Sequence, residues 1–156
     1  MLIDELKNLK LKNWSAVLNE DEMLWLELNK VHKTTNTLSS EVREEFGKIL
    51  SVFEKGIAEK IPAGLVIYSK KKTGFCAGAD VNEFVETAEK ENWEISSRKI
   101  VYDGWYMFEK LEQLSKKIPT IALVRGFCFG GALELAFSCR YVVAIDEETT
   151  SFSLPE

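Results

Sequence analysis

A single glutamate stands among apolar residues in the segment GFCFGGALELAFSC, which runs from Gly126 to Cys139. A carboxylate in apolar surroundings costs free energy unless it is paired, protonated or used in chemistry. If Glu134 pairs with Arg125 or Arg140, its role is structural. If it is unpaired, burial should raise the pKa of its carboxyl, and such a group exchanges protons near neutral pH. Glu134 is therefore a candidate for acid–base chemistry.

The glycines that precede Glu134 mark a place where an oxygen could bind. The predicted strand TIALVRG leads into them, and a helix is predicted from Gly130 to about Cys139. The first N–H groups of a helix have no partner within it, and the helix dipole adds partial positive charge near Gly130 and Gly131. An anion, or a carbonyl oxygen that gains negative charge, would be stabilised there.

A second turn of the same kind occurs in FCAGAD, from Phe75 to Asp80, between a strand with its turn and a helical stretch. Glycine permits a tight turn and a close approach of another group to the backbone. Two such turns could each supply one N–H group to a single oxygen. Either segment alone could be only a steric requirement of a strand-to-helix turn. The presence of both, with Glu134 one helical turn further on, favours a binding site.

These turns must be held by a mixed framework, because strand and helix patterns alternate along the chain. The predicted strands are Trp14–Leu18 and Met23–Leu28 as a hairpin, then GLVIYS, TIALVRG, YVVAID and a short strand near Thr150. The predicted helices run from Leu38 to Ile57, with Ser39 or Ser40 as cap, after Asp80, and from Trp93 to Leu114. The alternation predicts an α/β fold with crossover connections. Nothing marks an internal boundary, so residues 1–156 are predicted to form a single domain.

The composition favours a globular protein with one core. The 156 residues are 46% apolar and 29% charged, which is too hydrophobic for a disordered chain. The net charge is -5 and the basic residues are scattered, which argues against nucleic acid as a partner. The sequence contains neither a signal-peptide core nor a run long enough for a membrane span. We therefore expect a cytoplasmic protein.

Other reactive residue types are predicted to be structural. The three cysteines, Cys76, Cys128 and Cys139, lie in apolar runs without metal-ligand spacing and are expected to be reduced core thiols. No metal or redox cofactor is called for. A single histidine, His32, gives little support for a Ser/His/Asp triad. The aromatics of the long helix either belong to the core or line a ligand tunnel: Trp93, Tyr102, Trp105 and Tyr106.

Three segments, in this order, carry a resemblance: GFCAGADVNEF, IPTIALVRGFCFGGALELAFSCRYVVA and FSLPE. The earlier segment TTNTLSSEV adds an Asn-x-Leu pattern. Together they resemble the enoyl-CoA hydratase/isomerase, or crotonase, superfamily. The match is most similar to the hydratase module at the start of multifunctional fatty-acid oxidation proteins. The resemblance covers nearly the whole chain from Trp14 onward and implies a crotonase-like spiral of ββα repeats.

The resemblance also implies a site for acyl-CoA. The thioester oxygen would accept hydrogen bonds from the backbone N–H groups of Ala79 and Gly131. Glu134 falls on the first catalytic glutamate of the family, and Glu156, the acid after Leu-Pro, falls on the second. The residues implied in CoA binding are Lys33, Ala77, Gly78, Asp80 and Gly130. For Lys33 and for the Lys70–Lys72 tract, a solvated charge is the alternative. Asp80 is expected to be a turn or cap residue rather than a catalyst.

In the hydratase reaction implied by the resemblance, Glu134 and Glu156 would hold one water. The water would add to the β carbon of a trans-2-enoyl thioester, with Glu134 as the base and Glu156 as the acid that protonates the α carbon. Both glutamates together favour a hydratase over an isomerase, which needs only the second, although both activities remain open. The thioester is the substrate and no further cofactor is implied. The implied partners are copies of the chain in a trimer-based oligomer, or a larger fatty-acid oxidation complex.

Two departures from the family pattern leave alternatives open. Arg140 stands where many members carry an acid, which affects a structural pairing rather than the chemistry. The sequence ends at Glu156, whereas family members continue, so the fold is expected to be incomplete at its C-terminus. One alternative is a non-catalytic module that binds acyl-CoA or serves assembly. Another is a structural fragment that self-associates through uncovered apolar surface.

Overall fold

The computed structural model describes residues 2–55 and 61–154. Five helices and eight strands lie within these residues. The helices are α1 (Leu2–Asn8), α2 (Ser40–Lys55), α3 (Val81–Ala88), α4 (Trp93–Ser115) and α5 (Gly131–Phe137). The strands are β1 (Trp14–Leu18), β2 (Met23–Leu28), β3 (Gly64–Ser69), β4 (Gly74–Cys76), β5 (Thr120–Val124), β6 (Phe127–Phe129), β7 (Tyr141–Ala144) and β8 (Ser151–Ser153).

The strands form two sheets. The larger sheet has the order β1-β2-β3-β5-β7, with β1 antiparallel to β2 and the other neighbours parallel. The smaller sheet, β4-β6-β8, is parallel throughout. From β3 onward, the first strand of each pair joins the larger sheet and the second joins the smaller one. Helices follow β2, β4 and β6, so the chain is a spiral of ββα repeats, as predicted.

The core lies between α2 and the larger sheet. Six apolar side chains of α2 are buried at helical spacing: Val42, Phe46, Ile49, Leu50, Val52 and Phe53. The larger sheet contributes residues that are almost completely buried, such as Leu24, Leu26, Leu65 and Ile67. Burial of each such side chain contributes about 1.5–3 kcal/mol. This core fixes the ends of the strands, from which the loops of the site extend.

A buried carboxylate joins the start of β1 to α2. Glu45 accepts hydrogen bonds from the backbone N–H groups of Lys12 at 3.0 Å and Asn13 at 2.9 Å. It also accepts from the side-chain amide of Asn13 at 3.3 Å. The neighbouring Trp14 donates its indole N–H to the carbonyl of Val42 at 3.0 Å. A segment without regular structure is thereby attached to the central helix.

Most of the predicted elements are confirmed. The hairpin has its predicted bounds, and helices occur after Asp80 and from Trp93. The helix predicted from Leu38 begins at Ser40, and Ile57, its predicted end, lies outside the described residues. The sequence pattern does not predict α1, β4 or β6.

The cap of α2 differs from the prediction. The hydroxyl of Ser39 has no hydrogen-bond partner within the described residues. Instead, the carboxylate of Glu83, in α3, accepts from the N–H of Ser40 at 2.6 Å and from its hydroxyl at 3.0 Å. A cap that comes from another helix satisfies the same orphan N–H groups but leaves no local sequence signal.

Several apolar surfaces are exposed. The aromatics Trp93, Tyr102, Trp105 and Tyr106 are between 47% and 60% exposed, so their assignment to the core is wrong. The face of α4 that does reach the core carries Met107, Leu111 and Leu114. All residues of β7 and β8, which are edge strands, are exposed as well. No helix in residues 2–55 or 61–154 combines the length and the apolarity needed to cross a membrane.

Replacement of Glu45 tests how much the buried carboxylate contributes to stability. In Glu45→Ala, the buried N–H of Asn13 and the partly buried N–H of Lys12 lose their acceptor, and each buried unsatisfied group costs about 1–3 kcal/mol. We expect the free energy of unfolding, measured by urea denaturation, to fall by about 2–5 kcal/mol. Glu41→Ala is the matched control on the same helix, because the ion pair of Glu41 with Lys12 is exposed. Equal losses in both variants would contradict this role for Glu45.

Candidate active site

The two glycine-containing turns predicted to cooperate lie against each other. A Cβ atom placed on Gly78 would lie 2.6 Å from the carbonyl oxygen of Phe129 and 3.3 Å from the backbone nitrogen of Gly131. Gly78 also has φ +87°, a conformation that favours glycine. Only a residue without a side chain permits this contact between the β4–α3 turn and the β6–α5 turn.

The peptide between Gly78 and Ala79 is oriented by its carbonyl group. The oxygen of Gly78 accepts the N–H of Leu38 at 2.7 Å, and one residue earlier the N–H of Ala77 donates to the carbonyl of Asn36 at 2.9 Å. In a planar trans peptide the N–H points away from the C=O. The N–H of Ala79 is therefore directed away from Leu38, and it donates to no other group of the described residues. Ala79 itself is exposed.

The peptide between Gly130 and Gly131 follows the same rule. The carbonyl of Gly130 accepts from the N–H groups of Leu133 at 2.8 Å and Glu134 at 3.1 Å, as the first turn of α5 requires. The N–H of Gly131 consequently points out of the helix, and within residues 2–55 and 61–154 it has no acceptor. Gly130 has φ +51°, which sets the angle at which the chain enters the helix. Each turn thus presents one N–H group without a partner.

Glu134 lies beside this second N–H group. A Cβ atom on Gly131 would lie 3.6 Å from Oε2 of Glu134, 3.5 Å from Cδ1 of Leu38 and 3.8 Å from Cζ of Phe108. Glu134 forms no ion pair with Arg125, Arg140 or any other described residue. The cation of Arg140 instead contacts the carbonyl of Ser115.

The prediction that Glu134 is buried is wrong. It is exposed, as is Phe137 one turn later on the same face of α5, whereas Ala132, Leu133, Leu135 and Ala136 are buried. The sequence shows that nearly all residues of this helix are apolar, but not which face another element covers. The described residues therefore do not form the apolar enclosure that was expected around this carboxylate.

A buried amide positions the first turn. Asn36 is 1% exposed, and its Nδ2 lies within 3.1 Å of the carbonyl oxygens of Leu28 and Phe75 and 2.9 Å from Oγ of Ser69. Its Oδ1 accepts the N–H of Lys30 at 2.9 Å. The residues it contacts belong to β2, β3 and β4, so one side chain aligns three strands below the turn. The Asn-x-Leu pattern that contains Asn36 is a family signature in the sequence, but it does not predict these hydrogen bonds.

Asp80 is a helix cap, as predicted, and also part of a network. Its Oδ1 accepts the N–H of Asn82 at 3.2 Å at the start of α3. Its Oδ2 accepts from Nζ of Lys30 at 2.6 Å and from Oγ1 of Thr37 at 2.8 Å. Burial raises the pKa of the Asp80 carboxyl, but the hydrogen bonds from Lys30 and Thr37 outweigh burial, so the pKa lies below its ordinary value of 3.8. Sequence reasoning missed Lys30, since its partner is 50 residues away.

The remaining predicted residues differ in their positions. Glu156 lies outside the described residues. The side chain of Lys33 is exposed, while its carbonyl accepts from Nζ of Lys71 at 2.6 Å. In the lysine tract, Lys70 lies 3.3 Å from Glu27, and Lys71 holds the β2–α2 loop rather than facing solvent. Ala77 and Gly78 directly precede Ala79 in the turn between β4 and α3.

Other reactive groups lie apart from these turns. Cys76, Cys128 and Cys139 are free and buried, as predicted, and burial raises the pKa of each thiol to about 12. Among the described residues, no group of three or more His, Cys, Asp or Glu side chains could hold a metal ion. A groove of about 960 Å³ lies between α2, α3 and α4. Its lining includes Tyr106 but none of the residues predicted to act in catalysis, in the oxyanion hole or in CoA binding.

Gly78→Ala tests the contact between the two turns. An added Cβ atom would force the backbone at Phe129 or the turn at Gly78 to move, and φ +87° adds strain of about 1–3 kcal/mol. We expect a lower free energy of unfolding by urea denaturation. Gly47→Ala in α2 is the control, because nothing lies within 4 Å of its added Cβ. That variant should be up to about 1 kcal/mol more stable. Unchanged stability of Gly78→Ala would contradict the described contact.

The lowered pKa of Asp80 predicts a pH dependence of stability. As pH falls, the unfolded chain binds the proton of this carboxyl before the folded chain does, so the stabilisation is complete above the ordinary pKa and is lost on further acidification. Between about pH 5 and pH 3, the free energy of unfolding should fall more steeply in the wild type than in Asp80→Asn. Asp103→Asn, which removes an exposed pair with Lys99, should retain the wild-type slope. An identical slope in Asp80→Asn would argue against this linkage.

Comparison with known proteins identifies the sequence family. Residues 22–156 match the family described as enoyl-CoA hydratase/isomerase. The fatty acid oxidation complex subunit alpha of Aliivibrio fischeri is 32% identical over 149 residues, which cover 94% of this chain and 20% of that protein. The corresponding subunit of Shewanella oneidensis is 33% identical over 147 residues, covering 93% of this chain and 19% of that protein.

Solved structures show the same fold. An enoyl-CoA hydratase from Shewanella pealeana superposes with a TM-score of 0.77 at 23% identity, covering 96% of this chain and 51% of that chain. An enoyl-CoA hydratase from Bacillus anthracis gives 0.73 at 26% identity, covering 90% and 50%. The chain therefore spans about half the length of these structures and one fifth of its curated relatives. With the predicted segments, the paired turns and the family match in agreement, the chain belongs to the enoyl-CoA hydratase/isomerase family.

Proposed function

We propose that this chain binds the thioester of a trans-2-enoyl-CoA and adds water across its double bond. The observation that carries the proposal is the pair of N–H groups of Ala79 and Gly131, which adjoining turns present without a partner, beside the carboxylate of Glu134. A carbonyl oxygen that accepts both N–H groups gains stabilisation as it becomes enolate-like. Loss of one such donor typically costs about 2.7–4 kcal/mol.

In this proposal Glu134 acts as the base toward water. Its Oε2 lies close to Gly131, so a thioester held by the two N–H groups would place its reacting carbons near the carboxylate. The proton for the α carbon would come from Glu156, whose role rests on its position after Leu-Pro. Before the next turnover Glu134 releases its proton and Glu156 takes one up from solvent. The net reaction is the addition of one water, so it needs no redox or metal cofactor.

The proposed contacts with CoA surround the two turns. The backbone of Ala77, Gly78 and Gly130 would lie next to the thioester. Asp80 would hold the first turn through its hydrogen bonds to Lys30, Thr37 and the start of α3. Lys33 is exposed, so its ammonium is available for a phosphate of CoA. Lys71 holds the same loop through the carbonyls of Lys30 and Lys33, so the exposed Lys33 is presented from a fixed backbone.

The proposed setting is fatty-acid β-oxidation in the cytoplasm. It is supported by relatives named as alpha subunits of the fatty acid oxidation complex. The proposed partners are further copies of the chain in a trimer-based oligomer, or other subunits of such a complex. The exposed apolar residues of β7 and β8 favour an assembled form, because exposed apolar patches mark interaction sites.

A second candidate function is binding of acyl-CoA without turnover. The exposure of Glu134 favours it, because a catalytic carboxylate normally works in a site from which bulk water is excluded. The paired N–H groups would still hold a thioester oxygen in such a module. Isomerisation of the double bond is a further alternative, and it would depend on Glu156 rather than Glu134.

The loss of conjugated enoyl-thioester absorbance tests hydration directly. The 156-residue protein is mixed with a short trans-2-enoyl-CoA, beside Glu134→Gln, which keeps the shape of the side chain but cannot accept the proton. We expect hydration in the wild type and a kcat lower by about 100-fold or more in the variant. Glu109→Gln, on the surface of α4, is the control and should retain wild-type turnover.

The outcomes separate the candidate functions. Hydration that persists at the wild-type rate in Glu134→Gln would exclude Glu134 as the base. No hydration together with saturable binding of acyl-CoA, measured by calorimetry, would favour the binding module. Conversion of a 3-enoyl-CoA into the conjugated 2-enoyl form, seen as a gain of absorbance, would favour the isomerase.

A further inference from the structure

The side chain of Lys30 is used entirely within the protein. Its ammonium donates to Oδ2 of Asp80 at 2.6 Å and to Oγ1 of Thr37 at 2.7 Å, and only 12% of the side chain is exposed. The backbone of Lys30 is also held, since its N–H donates to Asn36 and its carbonyl accepts from Lys71. Lys30 is thus a fixed cation at the end of β2 rather than a solvated one.

The carboxylate that Lys30 contacts connects three parts of the fold. Oδ1 of Asp80 caps α3, while Oδ2 accepts hydrogen bonds from the ammonium of Lys30 and the hydroxyl of Thr37. Thr37 lies three residues before the start of α2, and Lys30 follows β2. The three groups form a closed triangle, since Lys30, Thr37 and Asp80 each contact the other two.

This triangle lies next to the first N–H donor. Ala79 stands between Gly78, whose carbonyl is bonded to Leu38, and Asp80, whose carboxylate is held by the triangle. Ala79 is exposed and belongs to no strand or helix, and its backbone forms an isolated parallel bridge with Leu38. The direction of its N–H therefore depends on both neighbours.

The low exposure of this ion pair gives it a role that the surface pairs lack. The Lys99–Asp103 pair is also short, at 2.5 Å, but its side chains are 71% and 45% exposed. Water readily replaces either partner of an exposed pair, so such pairs hold little in place. A charged group that has lost most of its water strongly favours its protein partner instead.

We propose that Lys30 is a positioning residue: with Thr37, it holds Asp80 so that the Ala79 N–H is aimed at the thioester oxygen. The proposal rests on the proposed function for its ligand, but the triangle and the orientation of the peptide do not depend on turnover. Lys30 touches no reacting atom. Its effect should therefore appear in polarisation of the carbonyl and in kcat rather than in affinity for the CoA portion.

The test uses the CoA thioester of 4-(dimethylamino)cinnamic acid, whose absorption moves to longer wavelength when hydrogen bonds polarise its carbonyl. The probe is bound at saturation to the wild type, to Lys30→Met and to Lys99→Met. Methionine keeps the unbranched stem of lysine and removes the ammonium. We expect the red shift in Lys30→Met to be at most about half of the wild-type shift, because a displaced donor loses most of a hydrogen bond. Lys99→Met should show the full shift.

The proposal and the proposed function fail in different ways. A full red shift in Lys30→Met would overturn the positioning role while leaving the binding of the thioester intact. Bound probe without a red shift in the wild type would contradict the proposed function. In proteins that turn over, Lys30→Met should lower kcat about 10-fold or more with KM changed less than about threefold.

A measurement without ligand tests the positioning role alone. In ¹⁵N-labelled protein, the amide signal of Ala79 should move in Lys30→Met, because the peptide is no longer held in one orientation, while that of Gly131 stays in place. An unchanged Ala79 signal would overturn the proposal. Thr37→Val, which removes one side of the triangle and keeps the side-chain volume, should produce the same change if Lys30→Met does not fold. Wild-type behaviour of Thr37→Val would count equally against the proposal.

Discussion

The buried amide of Asn36 is the interaction on which the site depends. It contacts β2, β3 and β4 and the N–H of Lys30, so the positions of three strands are coupled to one loop. The backbone around it continues this coupling, since the carbonyl of Asn36 accepts from Ala77 and the N–H of Leu38 donates to Gly78. A buried polar group is costly unless all its bonds are made, and this requirement makes the arrangement unique.

The two turns of the site obey a common constraint. In each, the carbonyl of a peptide is bonded within the protein, and the opposite N–H is left free as a consequence. Donors fixed in this way need no rearrangement when charge develops on a bound oxygen, which is why such groups are effective in catalysis. The contact at Gly78 brings the two turns together, and the Lys30–Thr37–Asp80 triangle limits the movement of one of them.

The exposed face of α5 connects the site to the question of assembly. Glu134 and Phe137 lie on this face, and the edge strands β7 and β8 are exposed nearby in the chain. Desolvation of Glu134 would require a surface that covers it, either the acyl group of the substrate or another polypeptide. The chain spans about half the length of the solved structures that share its fold. The chemistry that we propose thus couples turnover to the covering of this face.

The sequence by itself determined the class of fold and the two glycine turns. Both follow from local rules. Periodic apolar residues predict the helices and strands, and glycine between a strand and a helix indicates a tight turn or a close approach to the backbone. The sequence also shows that several segments resemble a known family, and this resemblance implied Ala79, Gly131 and Glu134 as candidate site residues. Only the tertiary structure decided that Glu134 is exposed, that Glu83 caps α2 and that Lys30 holds Asp80. These features depend on which elements pack together and on partners 43 to 50 residues apart, and no local pattern encodes either.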